Sequence, residues 1–165
     1  MLEDYWLVRR VDTEAVSMLY WYMKQFRYVL KMDLTGDRLY SAGVTDYGVC
    51  DRLDIVLSDP SSQYQMSMMC GLWNTEQLRK ILVPNETPWE VELNGTPRVQ
   101  SLKDEMIVLG TRQWPIRHTL ALRGGDTTKF IFDEMAPQDV RELLDYGYLS
   151  ERALLQAKEY LSKRG

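Results

Sequence analysis

The run Glu86-Thr87-Pro88-Trp89-Glu90-Val91-Glu92 sets three carboxylates around one large apolar ring. A carboxylate serves as a general base near neutral pH when its pKa is raised, and an apolar neighbour raises it by penalising the charged form. Glu90, next to Trp89, is placed for that role, and Glu86 shares its face if the segment is helical. The plainer alternative is a solvated acidic turn capping a helix, with Trp89 buried as core. Trp73 and Trp114 offer flat faces on which sugar rings stack, although large aromatics also build cores. His118, the only histidine, alternates with Ile116 and Leu120 as a packed strand residue does; a metal ligand is the alternative. Arg123 precedes Gly124-Gly125, so a guanidinium and backbone N–H groups can meet a phosphate there, or the three residues can simply turn the chain between two strands.

The elements that must position these residues follow from patterning. Tyr64 to Cys70 is an apolar run between Pro60-Ser61-Ser62 and Gly71, which predicts a buried strand near the centre of a sheet. Asn74 then caps a short helix with Gln77 at the reciprocal position. Leu78, Ile81 and Leu82 supply its apolar face, and Trp73 and Leu78 have staple spacing. Earlier, Met1 to Val8 reads as a strand, and Asp12 caps a helix whose inward stripe is Val16, Leu19, Tyr20 and Met23. Strands are expected within Phe26–Leu34 and Leu53–Ser58, with a long irregular connection from Leu39 to Asp54 and a hairpin turn at Asp59-Pro60-Ser61-Ser62. Beyond the acidic cluster, Asn94-Gly95-Thr96-Pro97 is expected to turn the chain into a strand at Met106–Thr111. Pro137 and Ser150 open two further helices, the first ending at Gly147. The whole reads as one mixed-sheet α/β domain, residues 1–165, with flanking helices.

Composition narrows the function classes. A chain of 165 residues, 45% hydrophobic and 11% aromatic, is long enough and apolar enough for a real core. Its formal charge of -4 argues against a general nucleic-acid binder, which needs excess Lys and Arg. No apolar run approaches the roughly 20 residues of a membrane span, and the start is acidic where a signal peptide is basic. Cys50 and Cys70 make neither a disulfide framework nor a metal spacing, which fits reduced thiols in a cytoplasm.

A strand leading into a small residue, a Trp, a short helix and then E-x-P-W-E-x-E resembles a group of glycosyltransferase-like proteins of bacterial and phage genomes. Leu2-Glu3-Asp4-Tyr5-Trp6, Pro115 to Gly125 and Met135 to Tyr148 are similar to that group as well. The resemblance implies a GT-A-like α/β fold that transfers a sugar from a nucleotide sugar to a glycan or other acceptor. It also implies a nucleotide-binding half ahead of Leu2 that this sequence lacks. The chain is therefore expected to be the acceptor-side part of such an enzyme. The alternative is a non-catalytic carbohydrate-binding or interaction domain derived from one. Glu3 and Asp4 match the family's acidic motif, implying a divalent cation, Mn²⁺ or Mg²⁺, on the leaving diphosphate. Neighbours on a strand point to opposite faces, so one of the two reaches a metal. If that site operates through Asp4, Mn²⁺ with a nucleoside diphosphate gives a calorimetric binding heat that Asp4→Ala abolishes; a heat unchanged in the variant removes Asp4 from the site.

Overall fold

Caps and turn residues decide where the helices start, in a computed structural model that describes residues 5–36, 39, 41–123, 126–127, 131–147 and 149–164. Strand β1 (Tyr5–Leu7) precedes α1 (Thr13–Met23), where Asp12 accepts the Ala15 N–H at 2.9 Å. Strands β2 (Val29–Asp33), β3 (Val44–Cys50) and β4 (Leu53–Ser58) follow, then β5 (Gly71–Trp73) and α2 (Thr75–Ile81) behind its Asn74 cap. Helix α3 (Pro88–Ser101) leads into β6 (Ile107–Thr111), β7 (His118–Leu120), β8 (Leu122–Arg123) and β9 (Asp126–Thr127). A 3₁₀ turn at Ile131–Glu134 precedes α4 (Pro137–Tyr146) and α5 (Glu151–Ser162). Helices thus begin beside Asp12, Asn74, Pro137 and Ser150 as the sequence predicts, and Gly147 ends α4.

By internal contacts the chain divides into two units, residues 1–11 with 116–165, and residues 12–115. In the first, β1 pairs antiparallel with β7, β8 pairs with β9, and Val140, Ala153 and Ala157 close a small core with Ile131 and Phe132. In the second, a five-stranded mixed sheet runs in the order β3-β4-β6-β2-β5. Strands β2 and β6 are parallel and the other neighbours antiparallel. Every residue of β2 is buried. The expected mixed α/β sheet with flanking helices is therefore present.

Four local expectations are corrected. Tyr64–Cys70 is not a strand but an irregular, largely buried segment. Its backbone groups are met by side chains spaced one turn apart along α3. Glu92 Oε1 accepts the Met68 N–H at 2.5 Å, Thr96 Oγ1 accepts the Met66 N–H at 3.2 Å, and Gln100 Nε2 donates to the Ser62 carbonyl at 3.0 Å. A buried backbone must find partners, and helix side chains supply here what a sheet ladder would have supplied. Asn94 to Pro97 is correspondingly not a turn but the middle of α3. Gly95 is needed there, because a Cβ would collide with Met66 Cγ. The stretch expected to be irregular, Leu39 to Asp54, contains β3 and the hairpin turn at Asp51-Arg52 that leads into β4. Asp59 to Ser62 does turn the chain, the Ser62 N–H donating to the Asp59 carbonyl at 2.9 Å, but it leads from β4 into the irregular segment and not into a paired strand.

The sheet carries a buried charge pair. Lys31 and Asp33 are 1% and 2% exposed. Lys31 Nζ donates to Asp33 Oδ2 at 2.7 Å and to the Ser67 carbonyl at 2.9 Å, and it stands 5.1 Å from the centre of the Trp73 ring. Register explains the grouping, since Lys31 lies opposite Trp73 and Asp33 opposite Gly71, which puts all four on one face. Gly71 is required because a Cβ would strike Lys31 Cε. Asp33 Oδ1 accepts from the Thr35 and Gly36 N–H groups at 2.8 and 2.7 Å, closing the turn that follows β2. Burial alone would raise the Asp33 pKa, but the Lys31 ammonium and these N–H donors outweigh it and hold the carboxyl below its ordinary value. Lys31→Met strands a buried carboxylate, so urea unfolding should show a loss of about 3–5 kcal/mol. The depressed pKa makes Asp33 stabilising above the unfolded value of about 3.9, a contribution lost as pH falls through the lower folded value. Asp33→Asn should remove that step from an acid-unfolding profile, and a profile identical to wild type would refute the assignment.

Candidate functional site

The acidic cluster that the sequence singles out is assembled around the start of α3. Thr87 is the N-cap, Pro88 occupies the first turn, and Glu90 closes a capping box. Glu90 Oε2 accepts from the Thr87 N–H and from Thr87 Oγ1, both at 2.8 Å. These Thr87 donors push the Glu90 pKa down, the opposite direction to that expected from a neighbouring Trp89. Glu86 lies before the helix and forms a two-pronged pair with Arg98, at 2.6 and 3.1 Å, and also accepts from Asn94 Nδ2 at 3.0 Å. Arg98 is the main reason its pKa is lowered too. Glu92 is engaged with the Met68 N–H. All three carboxylates therefore stabilise local structure. Trp89 is not in the core: it is 67% exposed, and Val91 is the buried member of the run.

Trp73, by contrast, stands in a cleft of about 620 Å³ along the edge strand β5. The end of α1 and the loop after it form one wall through Tyr20, Lys24, Phe26 and Arg27; the opposite wall is Trp73 with the first residues of α2, including Glu76. The Trp73 ring is half-buried, packed on the core and set against the Lys31 ammonium, which fixes its plane. Phe26 is held between Tyr22 and Tyr28, with ring centres 5.2 and 5.7 Å away. Tyr20, expected on the inward stripe of α1, is 42% exposed on the cleft, while Ala15 takes the buried position. Asn74 caps α2 as expected, but Gln77 does not close a capping box: its Nε2 donates to the Arg27 carbonyl at 2.8 Å, tying the two walls together. A cleft with three ring faces and charged groups at its rim is suited to a small polar ligand with apolar faces, the chemistry of a sugar.

The remaining predicted site residues are dispersed. Glu3 and Asp4, the expected metal ligands, lie outside the described residues. Arg123 ends β8, paired in register with Asp126 of β9. His118 packs edge-on against Tyr5, ring centres 5.0 Å apart, and the Trp114 ring rests on Gly36. Among the described residues no group of three or more His, Cys, Asp or Glu side chains converges on a point. Cys50 and Cys70 are unpaired there, and no helix is long and apolar enough to cross a membrane. Sequence reading missed Lys31, Asp33, Lys24 and Arg27. A lysine and an aspartate two apart inside the apolar run from Val29 to Leu34 were a usable signal, since they share one strand face.

The fold and this geometry define a mixed α/β protein with an aromatic cleft at a sheet edge. No protein-family model matches the chain, and no curated protein or solved structure matches it.

The helix-start geometry is testable by unfolding. Thr87→Ala should cost about 1 kcal/mol through loss of the cap. Trp89→Ala should change stability by no more than about 0.5 kcal/mol, as exposed side chains do. A Trp89 cost of roughly 3–5 kcal/mol would instead put the ring in a core.

Proposed function

We propose that the chain binds carbohydrate in the Trp73 cleft, as the acceptor-side part of a GT-A-like glycosyltransferase that moves a sugar from a nucleotide sugar onto a glycan. The observation that carries this reading is the cleft itself, with Trp73 fixed from behind by Lys31 and faced by Tyr20 and Phe26. Pyranose rings present polarised C–H faces to such walls and hydroxyls to the polar rim. The mixed sheet with flanking helices and the motif order around Trp73 and Glu86–Glu92 support the transferase part of the reading. In that reading a divalent cation bound at Glu3 or Asp4 serves the donor diphosphate, and the acceptor's base is a carboxylate.

A specific observation favours a second reading, a carbohydrate-binding domain without catalysis. Glu86, Glu90 and Glu92 are each engaged in the fold, and the two with shifted pKa values are shifted away from neutrality. The two readings share the cleft and differ in turnover. Titration against an oligosaccharide panel, read by tryptophan fluorescence, should find a ligand whose affinity drops about tenfold or more in Tyr20→Ala and Trp73→Ala, the equivalent of losing a ring contact of about 1.4 kcal/mol. Affinity retained in both variants would move the ligand elsewhere. Incubation of the bound acceptor with nucleotide sugars and Mn²⁺ then separates the readings. Product that persists in both Glu86→Gln and Glu90→Gln excludes either glutamate as the base, and absence of product with every donor favours the binding domain.

A further inference from the structure

Among the described residues, two cations at the rim of the Trp73 cleft have unpartnered side chains. Lys24 ends α1 through its backbone, its N–H reaching the Tyr20 carbonyl at 3.1 Å. Arg27 is likewise held through its backbone, its carbonyl accepting from Asn74 Nδ2 at 3.0 Å and Gln77 Nε2 at 2.8 Å. Both residues are exposed, and among the described residues neither side chain makes an ion pair or hydrogen bond. Glu76 lines the same cleft yet pairs with neither. The cleft therefore holds two cations against one carboxylate, in a chain that carries 24 acidic and 20 basic residues. Local charge here runs against the average of the molecule.

We infer that the cleft selects an acidic saccharide, whose anionic group is met by Arg27 and Lys24 while a ring face lies against Trp73, Tyr20 or Phe26. This rests on the carbohydrate reading above and narrows its ligand class. The planar guanidinium of Arg27 matches two oxygens of a carboxylate or phosphate, and Lys24 adds an adaptable point charge. Among the described residues neither charged end has a protein partner, so an incoming oxyanion displaces none there. Glu76 repels the anion and accepts sugar hydroxyls, which orients the ligand across the cleft. The same oxyanion chemistry occurs in the phosphates of a nucleotide sugar, and the two sources are separated by competition.

The test uses the intact chain and an array of oligosaccharides in which each uronate- or sialate-bearing member is paired with its methyl ester. Acidic members should bind at least about tenfold tighter than their esters, with the preference shrinking as salt rises. Lys24→Gln and Arg27→Gln should each erase most of that preference with the thermal midpoint unchanged, because both side chains are exposed. Uridine diphosphate glucose should not displace the bound acidic glycan. Equal binding of acid and ester, or a preference untouched in the double variant, overturns the inference and leaves the carbohydrate reading standing. Displacement by the nucleotide sugar assigns the cations to a donor phosphate and also overturns it. Binding of no array member defeats the carbohydrate reading itself.

Discussion

An ammonium group sealed inside a protein has to be surrounded by acceptors, and that requirement organises the larger unit of this chain. Lys31 sits on β2, the fully buried strand between β6 and the edge strand β5, and its partners come from three places: Asp33 two residues on, the Ser67 carbonyl of the irregular segment, and the face of Trp73 on the edge strand. Each contact fixes something that otherwise has alternatives. Asp33 closes the turn after β2, Ser67 holds a segment that lacks a ladder, and Trp73 is set in one orientation beside a cleft. Removing a partner would leave a charge in a low-dielectric interior, which is why such a pair enforces one arrangement even where it adds little net stability.

The second organising element is α3. Its residues at 92, 96 and 100 present a polar row that bonds the backbone of 62–68, while Val91, Gly95 and Val99 pack inward. A helix that satisfies a neighbouring backbone with side chains needs polar residues on a half-buried face, so glutamates there are structural. Glu90 and Glu86 extend the same logic to the helix start, one as a cap and the other as the partner of Arg98. An acidic cluster of this density can thus arise wholly from the demands of one helix and the segment it carries.

What is left for ligand chemistry is the part of the surface that the fold does not use. The cleft along β5 combines ring-bearing residues with charged side chains that have no partner among the described residues, and those are the groups available to a ligand without prior rearrangement. Pre-set walls of this kind lower the ordering cost of binding. The carbohydrate assignment proposed for the chain draws on that arrangement, together with the resemblance carried by its motifs.

Local chemistry by itself determined the starts of α1, α2 and α5, because a cap is an interaction between residues three apart: Asp12, Asn74 and Ser150 each bond their own first turn, whereas the start of α3 at Thr87 was not read from the sequence. It also determined the apolar strands at 29–33, 53–58 and 107–111 and marked Trp73 as a ring worth following. Only the tertiary structure decided that Tyr64–Cys70 is irregular, since the groups replacing its ladder come from Lys31 and from α3 about thirty residues away on either side. The same holds for Asn94–Pro97, where a close approach by Met66 places a glycine inside a helix that local propensity would break. For the candidate site, adjacency of Glu90 and Trp89 in sequence implied a desolvated acid, but the helix they begin turns the ring to solvent and the carboxylate back onto Thr87. Lys24, Arg27 and Trp73 share a cleft because α1 ends beside the edge strand, and strand order is a long-range property that no local pattern encodes.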